Sequence, residues 1–266
     1  MDIDTGAVRG HVHVGGPRRV LLLHGGPGLG HEYLQPLLPE LAPWTVATFQ
    51  QRGLAPSTTD GPFDLDTAVA DVVDVLDAAG WDRALLVGHS WGGHLALHCA
   101  SRLGDRLDGV LAIDPVGGVG DGGLADFGAT LMARLDPAQR DRAALLSESA
   151  DPVLAAEGLA LLWPAYFSTP DVAPACPPVR IDPAAAEGLG AAMVAGLPAL
   201  EASLDSIDVP LGVLMGGASP MPRSAGADVV TRVAGAWLEV VEDCGHFVWL
   251  ERPGAVAAAL ERLTVA

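Results

Sequence analysis

The chain has 266 residues, half of them hydrophobic, which suits one large α/β domain with a substantial core. Its 33 acidic residues outnumber 15 basic ones and leave a net charge of −18, so phosphate backbones and anionic membranes are not expected partners. Every basic residue is arginine, which excludes a Schiff-base or phosphate-loop lysine. The acidic stretch Met1-Asp2-Ile3-Asp4 does not read as a signal peptide, and no unbroken apolar run reaches the length of a membrane span. Cys99, Cys176 and Cys244 form no CxxC pair and are odd in number, which fits a reduced, cytoplasmic protein.

In chain order, Arg9 to Val14 alternates and meets Gly15-Gly16-Pro17, and Val20 to Leu23 is fully apolar. The pattern predicts an antiparallel hairpin opening a sheet. His24-Gly25-Gly26-Pro27-Gly28 follows, a loop whose backbone N–H groups can turn inward toward an oxyanion. Thr45 to Phe49 reads as a strand, Leu65 to Ala79 as an amphipathic helix stopped by Gly80, and Ala84 to His89 as a buried strand. Trp91 to Leu103 is a second helix, and Gly109 to Ile113 a strand ending at Asp114. Strand, helix, strand, helix, strand calls for a mostly parallel, doubly wound sheet. Ligands of such sheets bind beyond the carboxyl ends of the strands, where His24, Gln51, Ser90 and Asp114 fall.

From Val116 the pattern changes. Helical segments at Leu124 to Leu135, Pro137 to Leu146, Pro152 to Leu162 and Pro183 to Ala195 surround a proline-rich stretch, with no strand evident. Residues 117–208 therefore read as a helical lid inserted into a sheet domain formed by 1–116 and 209–266. Leu211 to Met215 resumes the sheet, Val229 to Val233 is a short helix, Trp237 to Val241 the last strand and Pro253 to Leu263 a closing helix. The stretch Leu161 to Phe167 is apolar and aromatic. Its Trp163, Tyr166 and Phe167 either line a pocket for a small hydrophobic substrate or form the lid's own core.

Gly88-His89-Ser90-Trp91-Gly92 joins a strand to a helix, the setting of a nucleophile elbow. A serine hydroxyl needs a base to take its proton, and among eight histidines only His246 lies in a loop after the final strand, where it can swing to the strand ends. His94 and His98, four apart on one helix, read as packing or surface residues. The acid is less direct. After Leu211 to Met215, the stretch Gly216-Gly217-Ala218-Ser219-Pro220 places a serine where a carboxylate is expected. Asp114, at the neighbouring strand end, is the preferred acid. Asp121, Asp243 or a dyad without acid are the alternatives.

Leu22 to Gly28, Gln51-Arg52-Gly53, Gly88 to Gly93 and Gly245-His246-Phe247 together resemble the α/β-hydrolase superfamily. The His-Gly-Gly-Pro-Gly and Gly-His-Ser-Trp-Gly-Gly forms are most similar to proline iminopeptidases and their relatives. The resemblance implies an α/β-hydrolase fold, Ser90 as nucleophile, His246 as base, and the N–H groups of Gly26 and Trp91 as oxyanion hole. It implies no metal and no cofactor. Two positions depart from that pattern: Gln50 stands where the family's Asp-Gln-Arg-Gly begins, and Ser219 where its acid is usual. Haloalkane dehalogenases, in the same superfamily, carry their acid where Asp114 lies. Lid carboxylates Asp121, Asp126, Glu148, Glu157 and Glu187 could bind a substrate amine, as an iminopeptidase lid does, or form a solvated acidic face. The expected activity is hydrolysis of an ester, amide or lactone of a small substrate. An acyl transferase, cyclase or lyase using the same site, or a non-catalytic ligand-binding protein, are the alternatives.

Overall fold

The computed structural model describes residues 1–147 and 149–265, so Glu148 of the acidic lid group lies outside the described residues. One eight-stranded sheet organises the chain. Its strands are β1 (Asp2–Asp4), β2 (Arg9–His13), β3 (Arg19–Leu23), β4 (Thr45–Gln50), β5 (Ala84–His89), β6 (Leu107–Ile113), β7 (Leu211–Gly216) and β8 (Trp237–Val241). The spatial order is β1-β2-β4-β3-β5-β6-β7-β8, parallel from β4 to β8 and antiparallel at β1 and β2.

The expected hairpin between β2 and β3 does not form. Strand β2 pairs with β4, from Arg9 opposite Gln50 to His13 opposite Val46, and β3 lies on the far side of β4. Burial explains the choice. In β3, Val20 to Leu23 are covered on both faces, as a central parallel strand requires, whereas β2 alternates and stays near the edge. Gly15 and Gly16 are not a hairpin turn but a close crossing over the start of β4. A Cβ at Gly15 would lie 2.2 Å from the Trp44 carbonyl oxygen, and one at Gly16 2.0 Å from that of Pro43.

Alternate residues of the central strands feed two apolar layers, which is what winding helices on both faces demands. Leu21, Leu23, Leu86, Val110 and Ala112 pack with helices α1 (Leu65–Ala78) and α2 (Trp91–Arg102). Val20, Leu22, Val87, Leu111 and Ile113 face the opposite layer, completed by the chain's last helix. Asp64 caps α1 by accepting the Thr67 N–H at 2.7 Å.

Between β6 and β7 runs the helical insertion: α3 (Leu124–Ala133), α4 (Pro137–Ser147), α5 (Pro152–Leu162) and α6 (Pro183–Ser203). Helix α6 continues beyond the Ala195 expected from sequence, straight through Pro198. The bond lost to that proline belongs to the carbonyl of Val194, a residue on the exposed side of the helix. By length and composition, with a mean hydropathy of 1.2, the stretch Pro183–Ser206 could cross a membrane. Its residues Ala185, Leu189, Met193, Leu197 and Leu200 instead form a buried stripe at helical spacing. After β7 come α7 (Arg223–Arg232), which begins earlier than expected, then α8 (Val248–Glu251) and α9 (Ala255–Val265).

Candidate active site

Ser90 sits between β5 and α2 with φ 55° and ψ −118°, a strained backbone for a non-glycine residue. The elbow is possible only because its neighbours lack side chains. A Cβ on Gly88 would lie 2.1 Å from the Gly92 carbonyl oxygen, and one on Gly92 2.3 Å from that of Leu23. The Ser90 N–H is held by the Ile113 carbonyl at 2.9 Å, which ties the elbow to the end of β6.

The glycine loop after β3 faces this turn. Gly26 has φ 58°, and neither its N–H nor that of Trp91 has a hydrogen-bond partner among the described residues. Both residues line the cavity beside Ser90. Gln51 holds the loop in place. Its amide nitrogen donates to the His24 carbonyl at 2.9 Å, its oxygen accepts the Trp91 indole N–H at 2.9 Å, and its backbone N–H donates to His24 Nε2 at 3.0 Å. Burial lowers the His24 pKa to about 3, so the ring is neutral and Nε2 accepts. Gln50 carries no charge but does structural work: its amide nitrogen donates to the carbonyls of Leu29 at 3.0 Å and Gln51 at 3.1 Å.

His246 Nδ1 meets Asp114 Oδ2 in a short contact, with His246 2% and Asp114 0% exposed. A carboxylate only accepts, so Nδ1 carries the proton and Nε2 is left as the basic atom. Asp114 follows β6 in the left-handed region, φ 44°. Its Oδ1 accepts the Gly216 N–H at 3.1 Å, and its Oδ2 also accepts the Ser219 hydroxyl. Ser219 itself accepts the Met221 N–H at 3.0 Å. The serine at the expected acid position therefore supports the carboxylate one strand away. The alternatives lie elsewhere: Asp121 caps the start of α3 by accepting the N–H groups of Gly123 at 2.9 Å and Ala125 at 3.0 Å, and Asp243 is exposed. No hydrogen bond joins Ser90 to His246 among the described residues; both face one cavity, and such contacts commonly tighten only around substrate.

That cavity holds about 230 Å³, small against the roughly 300 Å³ at which drug-sized pockets begin. Leu29, Val116, Phe127, Leu159 and Met193 make it apolar, and none of the described lining residues is Asp, Glu or Arg. Trp163 and Tyr166 line it as expected, but Phe167 does not. The short turn Trp163–Tyr166 ends in an extended residue at 167, which points Phe167 into the core against Trp163 at 5.2 Å and Phe247 at 5.5 Å between ring centroids. The Tyr166 ring stacks on His246 at 5.4 Å.

The His246 loop is tied rather than free to swing. The His246 N–H donates to the Tyr166 carbonyl at 2.8 Å, and the Gly245 N–H donates to Glu251 Oε2 at 2.6 Å. Glu251 Oε1 accepts the Ser168 N–H at 3.0 Å. Arg134, which caps the end of α3, donates to the carbonyls of Ala165 at 2.7 Å, Phe167 at 3.0 Å and Ala218 at 2.7 Å. Sequence reading missed Ser219 as a partner of Asp114. Its proximity to a vacated acid position was the available signal. Arg134 and Glu251 carried none, because their contacts with residues 165–168 and 218 join segments far apart in the chain.

A model of the alpha/beta hydrolase family matches residues 20–259. The chain belongs to this family. The α/β-hydrolase fold extends over entire solved structures. One is 2-hydroxy-6-oxo-6-phenylhexa-2,4-dienoate hydrolase (BphD) from Rhodococcus sp. strain RHA1, with TM-score 0.69, 23% identity, and 100% of this chain and 98% of that one covered. Another is described as "Est816 as an N-Acyl homoserine lactone degrading enzyme", with TM-score 0.66, 25% identity, and 98% and 99% covered. Lipase LipV of Mycobacterium tuberculosis is 30% identical over 150 residues, 53% of this chain and 56% of the lipase. Over the curated relatives it matches, the chain spans only 22% (Epoxide hydrolase 4 of Mus musculus) to 56% of their own length.

Proposed function

We propose that this hydrolase opens an ester or lactone of a small, uncharged, apolar substrate through an acyl-enzyme on Ser90. The observation that carries the reading is Ser90 at a strained elbow, facing an apolar cavity shared with a histidine whose Nδ1 is committed to a buried aspartate. Ser90 Oγ attacks the carbonyl carbon while His246 Nε2 takes its proton. The oxyanion is received by the N–H groups of Gly26 and Trp91. His246 then protonates the leaving oxygen, and water attacks the acyl-enzyme by the same route in reverse. Asp114 keeps the proton on Nδ1 and offsets the charge of the imidazolium.

The cavity favours esters and lactones over the N-terminal aminoacyl substrates of an iminopeptidase. A buried ammonium needs an anionic partner, and none of the described lining residues is a carboxylate. Of the lid acids, Asp121 serves as a helix cap and Glu157 pairs with Arg142 at 2.7 Å on the surface. The lactone activity in the description of Est816 supports the same substrate class. A small-molecule substrate, no nucleic-acid or membrane partner and a cytoplasmic setting belong to this reading and rest on charge and cysteine usage. So does the assignment of residues 117–208 as lid. A fluorophosphonate probe is expected to label the wild type and not Ser90→Ala, and short p-nitrophenyl esters to be turned over. An unlabelled, inactive wild type overturns the proposal.

A further inference from the structure

Two buried polar side chains in the cavity wall, Tyr33 and His89, have no part in the proton transfers above, yet all their polar atoms are engaged. The Gly25 N–H donates to the Tyr33 hydroxyl oxygen at 2.6 Å. That hydroxyl lies 2.9 Å from His89 Nδ1, and His89 Nε2 lies 3.1 Å from the backbone carbonyl of His246. The protons in this chain can be assigned. A carbonyl cannot donate, so His89 Nε2 carries a hydrogen. Burial holds the His89 pKa well below its ordinary value, so the ring is neutral and Nδ1 must accept. Tyr33, whose own pKa is raised by burial, keeps its proton and donates it there. The path then has one direction throughout: Gly25 N–H to Tyr33, Tyr33 O–H to His89, His89 N–H to the His246 carbonyl.

The three segments joined in this way are those that carry the chemistry. Gly25 precedes Gly26 of the oxyanion loop, His89 precedes Ser90, and the last acceptor belongs to the backbone of His246. We infer that Tyr33 and His89 are positioning residues that fix the oxyanion loop and the base loop against the elbow. This inference rests on the hydrolase reading of the site. Misplacement of reacting groups by an ångström is costly in rate, while binding in an apolar cavity is far less sensitive, so the effect belongs in kcat.

The polarity of the path supplies the test. A glutamine at 89 has an acceptor for the Tyr33 hydroxyl and a donor for the His246 carbonyl, whereas leucine has neither. On p-nitrophenyl butyrate, Tyr33→Phe and His89→Leu are expected to lose about 30- to 100-fold in kcat with KM within about threefold. His89→Gln is expected to stay within about fivefold of wild type. Thermal midpoints measured on the same samples separate lost folding from lost positioning. If His89→Leu does not fold, the comparison of Tyr33→Phe with His89→Gln decides alone. Variants that fold and keep wild-type kcat, or a His89→Gln as impaired as Tyr33→Phe, overturn the inference. Fluorophosphonate labelling of the wild type is the control: its absence defeats the hydrolase reading, whereas labelling with unaffected variants defeats only the positioning role.

Discussion

Five buried imidazoles surround the elbow, and they divide by partner. His246 faces the carboxylate of Asp114. His24, His89, His94 and His98 face backbone groups, a phenol or one another: His94 Nδ1 donates to the Gly117 carbonyl at 3.1 Å, and His98 Nε2 lies 3.2 Å from His94 Nε2. Burial lowers the pKa of His94 to about 4 and of His98 to about 3, the latter also through His94. Under the proposed mechanism the same ring serves as a base where it faces an anion, and it is a neutral strut where it faces none. What separates the two uses is a single aspartate, not depth of burial.

Removing that aspartate is the most severe way to erase the distinction. Asp114→Asn suits the left-handed backbone at φ 44°, so the fold is expected to survive while kcat falls about 10⁴-fold on an ester substrate. A loss under tenfold would show that His246 needs no carboxylate. Acid provides the converse test on the struts. His24, His94 and His98 have folded pKa values of about 3, 4 and 3, below the unfolded value near 6.5, so the unfolded chain binds more protons as pH falls. Their contribution is intact above pH 6.5 and is lost as pH falls from there toward the folded values. By pH 5.5 the three together should cost roughly 4 kcal/mol of unfolding free energy relative to pH 8, read by urea titration. A flat profile across that range contradicts the neutral assignment.

Moving the acid gives a smaller effect. Ser219 and His246 meet the same Asp114 oxygen, so Ser219→Asp added to Asp114→Asn is expected to recover about tenfold or more in kcat. No recovery would mean that only the end of β6 can host the carboxylate. Smallest is Ser219→Ala, which removes one donor to Asp114 and should lower kcat by about five- to tenfold, equivalent to about 1 kcal/mol.

The sheet and elbow were legible because buried strands are short apolar runs and the elbow's glycines are sterically obligatory. The pairing of β2 was not legible, since Gly15-Gly16 reads alike as a turn or as a crossing, and β1, three residues long, has too little pattern to detect. Ser90 and His246 stood out by position in the chain. Asp114 emerged by elimination, and the structure shows how it comes to face His246: adjacent parallel strands end at one rim, so a carboxylate after β6 reaches the same ring. The orientation of Phe167 was hidden because one extended residue at the end of a turn decides it.

The tie between Tyr166 and His246 has a consequence for traffic through the site. The backbone carbonyl that anchors the base belongs to the insertion, and Arg134 and Glu251 fasten the same segment on either side. Lifting the insertion as a rigid flap would therefore break the bond that holds His246 each time a molecule entered. Entry that leaves this tie in place would require individual wall side chains, such as Leu159 and Met193, to rotate aside. Such a route would favour slender, flexible molecules over broad, rigid ones.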